Sequence, residues 1–248
     1  MMLTRFSVNI VVQSWGNKQK ITLKQMKVST FQQECRRCGT CCLKGGPALH
    51  PEDLSLLQRK LLQQEHLVTI RKGEPVFSLI AEKPHPAPDE IIKIKGRGVE
   101  WTCMFYDRQN ASCMIYEQRP LECSRLQCWN TEELENVAGK NLLSRLDIIN
   151  LDDPVLPFIK KQREECSLDL LGHLLNTAKR KKFATTTLDQ LTNLMNTDLA
   201  IRLQAHEKLQ FSLELELFYF GRPLFVILKQ LGITAREKYG KLYLASLV

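Results

Sequence analysis

The sequence predicts an α+β fold: a small cysteine-rich metal-binding domain of short β-hairpins and helices, followed by a mostly α-helical C-terminal region. Three observations lead there. Eight of the nine cysteines fall between Cys35 and Cys128. The chain around them is cut every few residues by glycine, proline, aspartate and asparagine, which leaves room only for short strands and helices. Beyond residue 130 the apolar residues recur mainly at helical spacing, and helix-start signals are clear. At 248 residues, with 44% hydrophobic and 25% charged side chains, the chain is an ordinary globular one, which excludes a disordered or collagen-like protein.

Three segments follow from this: a basic arm over 1–29, the cysteine-cluster domain over 30–130 and the helical region over 131–248. The formal charge of +8 sits mostly in the arm, where five basic residues face no acidic ones. A basic arm can bind nucleic acid. Here Met26 lies only nine residues before the cluster and offers an alternative start to Met1, so the arm reads as solvated or untranslated chain, and no nucleic-acid partner is expected. Eight thiolates holding two divalent ions would also halve the formal charge.

The compartment decides what clustered cysteines mean. Disulfides need an oxidising environment and hence a leader with an apolar core and a small-residue cleavage site. The best candidate, residues 6–12, is interrupted by Ser7 and Asn9. The strongest apolar run, 224–228, is far short of a membrane span. The expectation is therefore a cytoplasmic protein without a membrane partner, whose cysteines stay reduced and hold metal.

Within the cysteine segment, Pro51 suits a first helical position, and Glu52 and Asp53 suit the positive end of the helix dipole. With Leu54, Leu57, Leu61 and Leu62 recurring behind them, residues 51–65 are expected to form an amphipathic helix. Residues 91–94 and 99–106 carry strand formers around Gly96, Arg97 and Gly98, which predicts a hairpin. A second turn over 107–112 would lead into a returning strand at 113–116. Pro120 would open a short helix through Gln127, bringing Cys123 and Cys128 within about one and a half turns. Further on, Asp152, Asp153 and Pro154 mark one helix start and Thr186 to Asp189 another, while Gly172, Gly221 and Gly232 are candidate stops or kinks. Residues 212–217 alternate like a strand, but Leu213, Leu217 and Phe220 share a helical face, and a helix is favoured.

The opening cluster reads Cys35-Arg-Arg-Cys38-Gly-Thr-Cys41-Cys42. Two cysteines separated by two residues can turn both sulfurs toward one ion, and Gly39 gives such a knuckle its backbone freedom. Cys35, Cys38 and Cys41 also have the spacing of iron–sulfur ligands, whose fourth cysteine comes from elsewhere. The second group is Cys103, Cys113, Cys123 and Cys128. Eight cysteines make two four-sulfur sites, or one with four thiols left over, and spacing alone does not separate zinc from iron. Neighbouring side chains tend to diverge, so Cys41 and Cys42 are expected to split between sites or to leave one member outside the ligand set.

These motifs, with Cys103-x-Phe105-Tyr106-Asp107 and Cys113-Met-Ile115-Tyr116-Glu117-x-Arg119-Pro120-x-x-Cys123, resemble the YkgJ family of cysteine-cluster proteins, the zinc- or iron-chelating CxxCxxCC domain. The resemblance spans residues 35–128 and gives all eight of the family's cysteines a counterpart. Cys166 stands outside it. The stretch Phe220-Gly221-Arg222-Pro223-Leu224 resembles the extension of longer members. The family implies zinc or iron, an iron–sulfur cluster among the options, held by Cys35, Cys38, Cys41, Cys42, Cys103, Cys113, Cys123 and Cys128. It also includes flagellin lysine N-methylase, so an iron–sulfur-dependent protein-modifying enzyme is the alternative. No Rossmann glycine loop, P-loop, H-E-x-x-H or G-x-S-x-G signature supports catalysis.

Other residues carry plainer readings beside sharper ones. Arg119 would cap carbonyls at the helix start, or else serve thiolate sulfur or an anion. Trp101 and Trp129 would be core aromatics, or shields for the metal. His50 reads as a helix-start residue rather than a ligand, and Cys166 as a lone thiol. The run 179–182 reads as a solvated helix end, and the repeated pairs Tyr106-Asp107 and Tyr116-Glu117 as turn chemistry. The C-terminal helices offer a surface for a protein partner.

Overall fold

The computed structural model describes residues 33–76, 85–180 and 184–247. The arm and residues 181–182 of the basic run lie outside them. The architecture is α+β, with five two-stranded antiparallel sheets among the described residues and helices gathered toward the C-terminus.

A 3-10 turn, Pro51–Asp53, runs into α1 (Leu54–Gln58), so the expected helix over 51–65 is cut short. The chain turns because Lys60 takes a left-handed backbone, with φ of 58°, and the N–H groups of Leu61 and Leu62 both return to the Leu56 carbonyl. That turn swings Leu62 under Leu56, and both are buried.

Next comes β1 (Leu67–Ile70), buried at all four positions, a strand that the sequence analysis does not anticipate. After the small pair β2 (Pro75–Val76) and β3 (His85–Pro86), β4 (Ile91–Ile94) pairs with β1, Leu67 opposite Ile94 and Ile70 opposite Ile91. The expected hairpin is therefore corrected: residues 91–94 do not fold back on 99–106. The turn at Gly98 instead joins β5 (Gly96–Arg97) to β6 (Thr102–Cys103). A long apolar strand finds a better partner in another apolar strand than in the polar chain beyond Gly96. The second expected hairpin forms, β7 (Tyr106–Asp107) with β8 (Ser112–Cys113), although the returning strand ends at Cys113 rather than running to 116. Asp107 closes its turn by accepting the Gln109 N–H at 2.8 Å. Pro120 then leads into α2 (Leu121–Arg125), followed by α3 (Glu132–Val137).

The C-terminal region holds α4 (Leu156–Glu165), α5 (Leu168–Arg180) and α6 (Thr185–Leu209), with α4 and α5 packed on α6. Gly172 lies inside α5 and stops nothing. Residues 213–220 are helical, as a 3-10 turn and α7 (Glu216–Phe220). Beyond α8 (Leu224–Gln230) the chain ends in a hairpin that periodicity alone does not announce, β9 (Ile233–Lys238) with β10 (Lys241–Leu247). Asn196 of α6 holds this hairpin by bonding both the N–H and the carbonyl of Leu242.

One apolar core runs through both segments: Leu49, Leu67 and Ile92 belong to the same cluster as Leu171, Met195 and Phe220. The junction is also tied by buried charge. Asp198, fully buried in α6, accepts from Gln162, Arg202 and the Leu224 N–H, and Arg71 stands 3.8 Å away. Arg71 in turn donates to the Arg222 and Cys166 carbonyls, Arg222 pairs with Glu74, and Arg145 links Glu90 to the Tyr219 carbonyl.

Gly221 shows how closely α7 approaches β1. Its φ is 65°, and a Cβ there would lie 2.6 Å from the Thr69 carbonyl oxygen. Gly221→Ala is expected to destabilise the protein by about 1–3 kcal/mol or more through backbone strain and displacement of the strand. Gly172→Ala, in mid-helix with nothing within 4 Å of the new methyl, should stabilise it by up to ~1 kcal/mol. Urea unfolding of the two variants should move in opposite directions.

Candidate metal centre

The cysteines come together because short elements pack end to end. The opening cluster runs into a 3-10 turn, Cys42–Lys44, whose preceding residue Cys41 already has helical backbone angles. β6, carrying Cys103, packs against that turn. Cys113 lies opposite Tyr106 in the next hairpin, and Cys123 rides on α2. Two carboxylates fix α2: Asp53 accepts the Leu121 N–H and the His50 N–H, at 2.8 and 2.9 Å, and Glu122 accepts the Ala48 N–H at 2.8 Å. Residues some 70 positions apart are thereby locked beside one another.

Gly39 is required by this packing. Its φ is 73°, and a Cβ would fall 2.0 Å from the Tyr106 hydroxyl oxygen, so the knuckle lies directly on that ring. Trp101 occupies the other side, in contact range of Gly45 and Gly96. Cys41, Cys42, Cys103, Cys113 and Cys123 all line one part of a broad cleft of about 3000 Å³ that extends as far as Arg145 and Cys166.

The electrostatics divide the cysteines by depth. Cys35, Cys38 and Cys41 are exposed, Cys42, Cys113, Cys123 and Cys128 half-buried, and Cys103 buried. The Cys41 and Cys42 sulfurs stand 3.9 Å apart. The separation is close to the ~3.8 Å edge of a sulfur tetrahedron with metal–sulfur bonds of about 2.3 Å. Their hydrogen bond pushes the Cys41 thiol down to about 6, aided by the nearby Arg119 charge, and pushes Cys42 up. Cys38 is lowered by its 3.2 Å contact with the Thr40 hydroxyl. Burial raises Cys103 and Cys123, and both are raised further by the other thiols of the group: Cys113 and Cys41 act on each, and Cys103 on Cys123. Such mutual repulsion reports proximity: thiols from four stretches of chain share one electrostatic neighbourhood.

Cys35 and Cys128 lie farther out, the first at the exposed start of the knuckle, the second in the turn after α2. Cys166 lies well apart. It is fully buried, its sulfur 3.9 Å from the Leu194 carbonyl oxygen, and burial pushes its thiol up to about 12. His50 is buried at the start of its 3-10 turn, with Nε2 3.6 Å from a Glu122 oxygen.

Several contributors were not singled out from sequence. Glu122 helps set the position of α2, and Lys93 lies near Glu122 and Cys123; Asp53, read from sequence only as a helix-dipole residue, holds α2 as well. Tyr116 is more than a turn residue, since Arg119 and Arg37 both stack on its ring. As the side chains stand, no three His, Cys, Asp or Glu among the described residues form a group that could hold a metal ion. The donor chemistry nevertheless suits a soft or borderline ion, since the cysteines line the cleft in greater number than any other side chain able to ligate one.

Residues 34–140 match the family model CxxCxxCC, described as "Putative zinc- or iron-chelating domain". The matched stretch contains all eight clustered cysteines. Neither the curated proteins nor the solved structures include a match to this chain.

Proposed function

We propose that this protein binds zinc or iron through thiolates contributed by Cys35, Cys38, Cys41, Cys42, Cys103, Cys113, Cys123 and Cys128, and that it works in a compartment where thiols stay reduced. The observation that carries the reading is the convergence of the two sequence groups. Cys41 and Cys42 from the first share a neighbourhood with Cys103, Cys113 and Cys123 from the second. This favours an inner centre drawing on both groups over one site per group, with Cys35, Cys38 and Cys128 around it. Modest side-chain rotation would turn the inner sulfurs toward a common point, and a bound divalent ion would offset the burial and the smaller mutual repulsion that hold the Cys103 and Cys123 protons on. The match to a zinc- or iron-chelating domain and the resemblance to the YkgJ family support the same conclusion.

Thiol accessibility tests it. Native protein saturated with zinc should protect at least four cysteines from a thiol reagent, and a chelator should expose them while Cys166 stays hidden until unfolding. Equal reactivity of the clustered thiols with and without zinc would overturn the reading. The sign of the pH dependence follows from the raised thiols. Cys42, Cys103 and Cys123 carry protons at neutral pH and must lose them to become ligands, so zinc affinity should climb between about pH 6 and 8 with proton release. Calorimetry in buffers of different ionisation heat would count those protons.

A further inference from the structure

The Arg119 guanidinium carbon lies 3.8 Å from the centre of the Tyr116 ring, and that of Arg37 lies 4.5 Å from the same point. Both guanidinium groups therefore stack on the one Tyr116 ring beside the cysteine cleft. An arginine just before a helix would ordinarily be spent on carbonyl oxygens. Among the described residues Arg119 donates to none. Its plane is held by stacking instead, so its N–H fork stays free, and it lines the cleft together with Cys41, Cys113 and Cys123.

We propose that Arg119 is a positioning residue of the metal centre: stacked on Tyr116, it donates to thiolate sulfur at the Cys41 side and offsets the excess negative charge of several thiolates around one divalent ion. The proposal rests on the metal-binding reading above. Four thiolates and a divalent ion leave two uncompensated negative charges, which a half-buried site tolerates only if cations stand nearby. Arg119 stands among several cations of this region. Arg97 acts on Cys103 from the adjoining hairpin strand, and Lys93 lies near Cys123. A stacked guanidinium suits the task better than a lysine, because its planar fork is already oriented and sheds less hydration on approaching sulfur.

The test uses the full chain and two probes, zinc affinity by chelator competition and the thiolate-to-metal absorption of the cobalt-substituted protein. Arg119→Gln should weaken zinc by roughly 10–100-fold, the usual cost of losing an outer partner of a metal ligand. It should also shift the cobalt charge-transfer band and leave the melting temperature of the metal-free protein unchanged. Tyr116→Phe keeps the ring face and should bind zinc like the parent, whereas Tyr116→Leu removes the platform and should fall between the parent and Arg119→Gln. Unchanged affinity and spectrum in Arg119→Gln would overturn the proposal. So would an equal loss of melting temperature with and without metal, which would mark Arg119 as structural. If the parent binds neither zinc nor cobalt, the metal-binding reading falls and this proposal with it. If the parent binds and Arg119→Gln is indifferent, only the positioning role is lost.

Discussion

Cys123→Ser is expected to lose its metal and loosen the whole region 34–140. Cys123 sits among Cys41, Cys103 and Cys113 on a short helix held by Asp53 and Glu122, and the hairpins beside it have only two residues per strand. Elements that small cannot supply much core of their own, so ion binding contributes directly to their folding. Removal of an outer partner already costs 10–100-fold in affinity, and removal of an inner thiolate should exceed ~100-fold. Cys38→Ser, at the exposed rim, should lose less. Cys166→Ala should keep full metal content, because its sulfur lies elsewhere. Metal content and hydrogen exchange of the three variants check the order. Equal metal content in Cys123→Ser and the parent would remove Cys123 from the centre.

Asp198→Ala should be the most destabilising change away from the cysteines, by about 3–5 kcal/mol, because it takes from the buried Arg71 the carboxylate 3.8 Å away and leaves the buried Arg202 with Glu216 alone. Burial alone would push the Asp198 carboxyl up. The Arg202 and Arg71 guanidiniums, with the Gln162 amide and the Leu224 N–H, outweigh it and hold the carboxyl below the ordinary carboxylate range. The sign follows. A carboxylate depressed in the folded state stabilises above its unfolded value of about 4, and that contribution disappears as pH falls through the lower folded value. Urea unfolding should therefore show the difference between parent and Asp198→Ala at neutral pH and a narrowing gap toward about pH 3. A constant gap would place the loss in packing rather than in charge.

The cysteine spacing was legible because ligation is a local chemical requirement: two sulfurs two residues apart, a glycine between pairs, a proline opening the helix that bears Cys123. The fold class followed from the same punctuation and from the helical spacing beyond residue 130. What stayed hidden depended on distant chain. The strand at 67–70 is recognisable only with its partner 91–94 in view, and without it the latter was paired with its sequence neighbour. The stripe over 51–65 misled because leucines that suit a longer helix suit a left-handed turn at Lys60 equally well once Leu62 can be buried. Arg119 offers two uses by sequence, and its stacking on Tyr116 becomes visible only in the fold. Asp198 looks like any helix aspartate, for nothing local announces that two arginines, a glutamine and the Leu224 N–H converge around it.

The most direct test of the central claim is metal analysis with a visible absorption spectrum on the full chain purified without air. Zinc or iron is expected in whole-number stoichiometry, colourless in the first case and absorbing in the second if the iron is held by thiolate or sulfide. Protein that is folded and fully reduced, yet carries neither metal and takes up neither when offered, would contradict it.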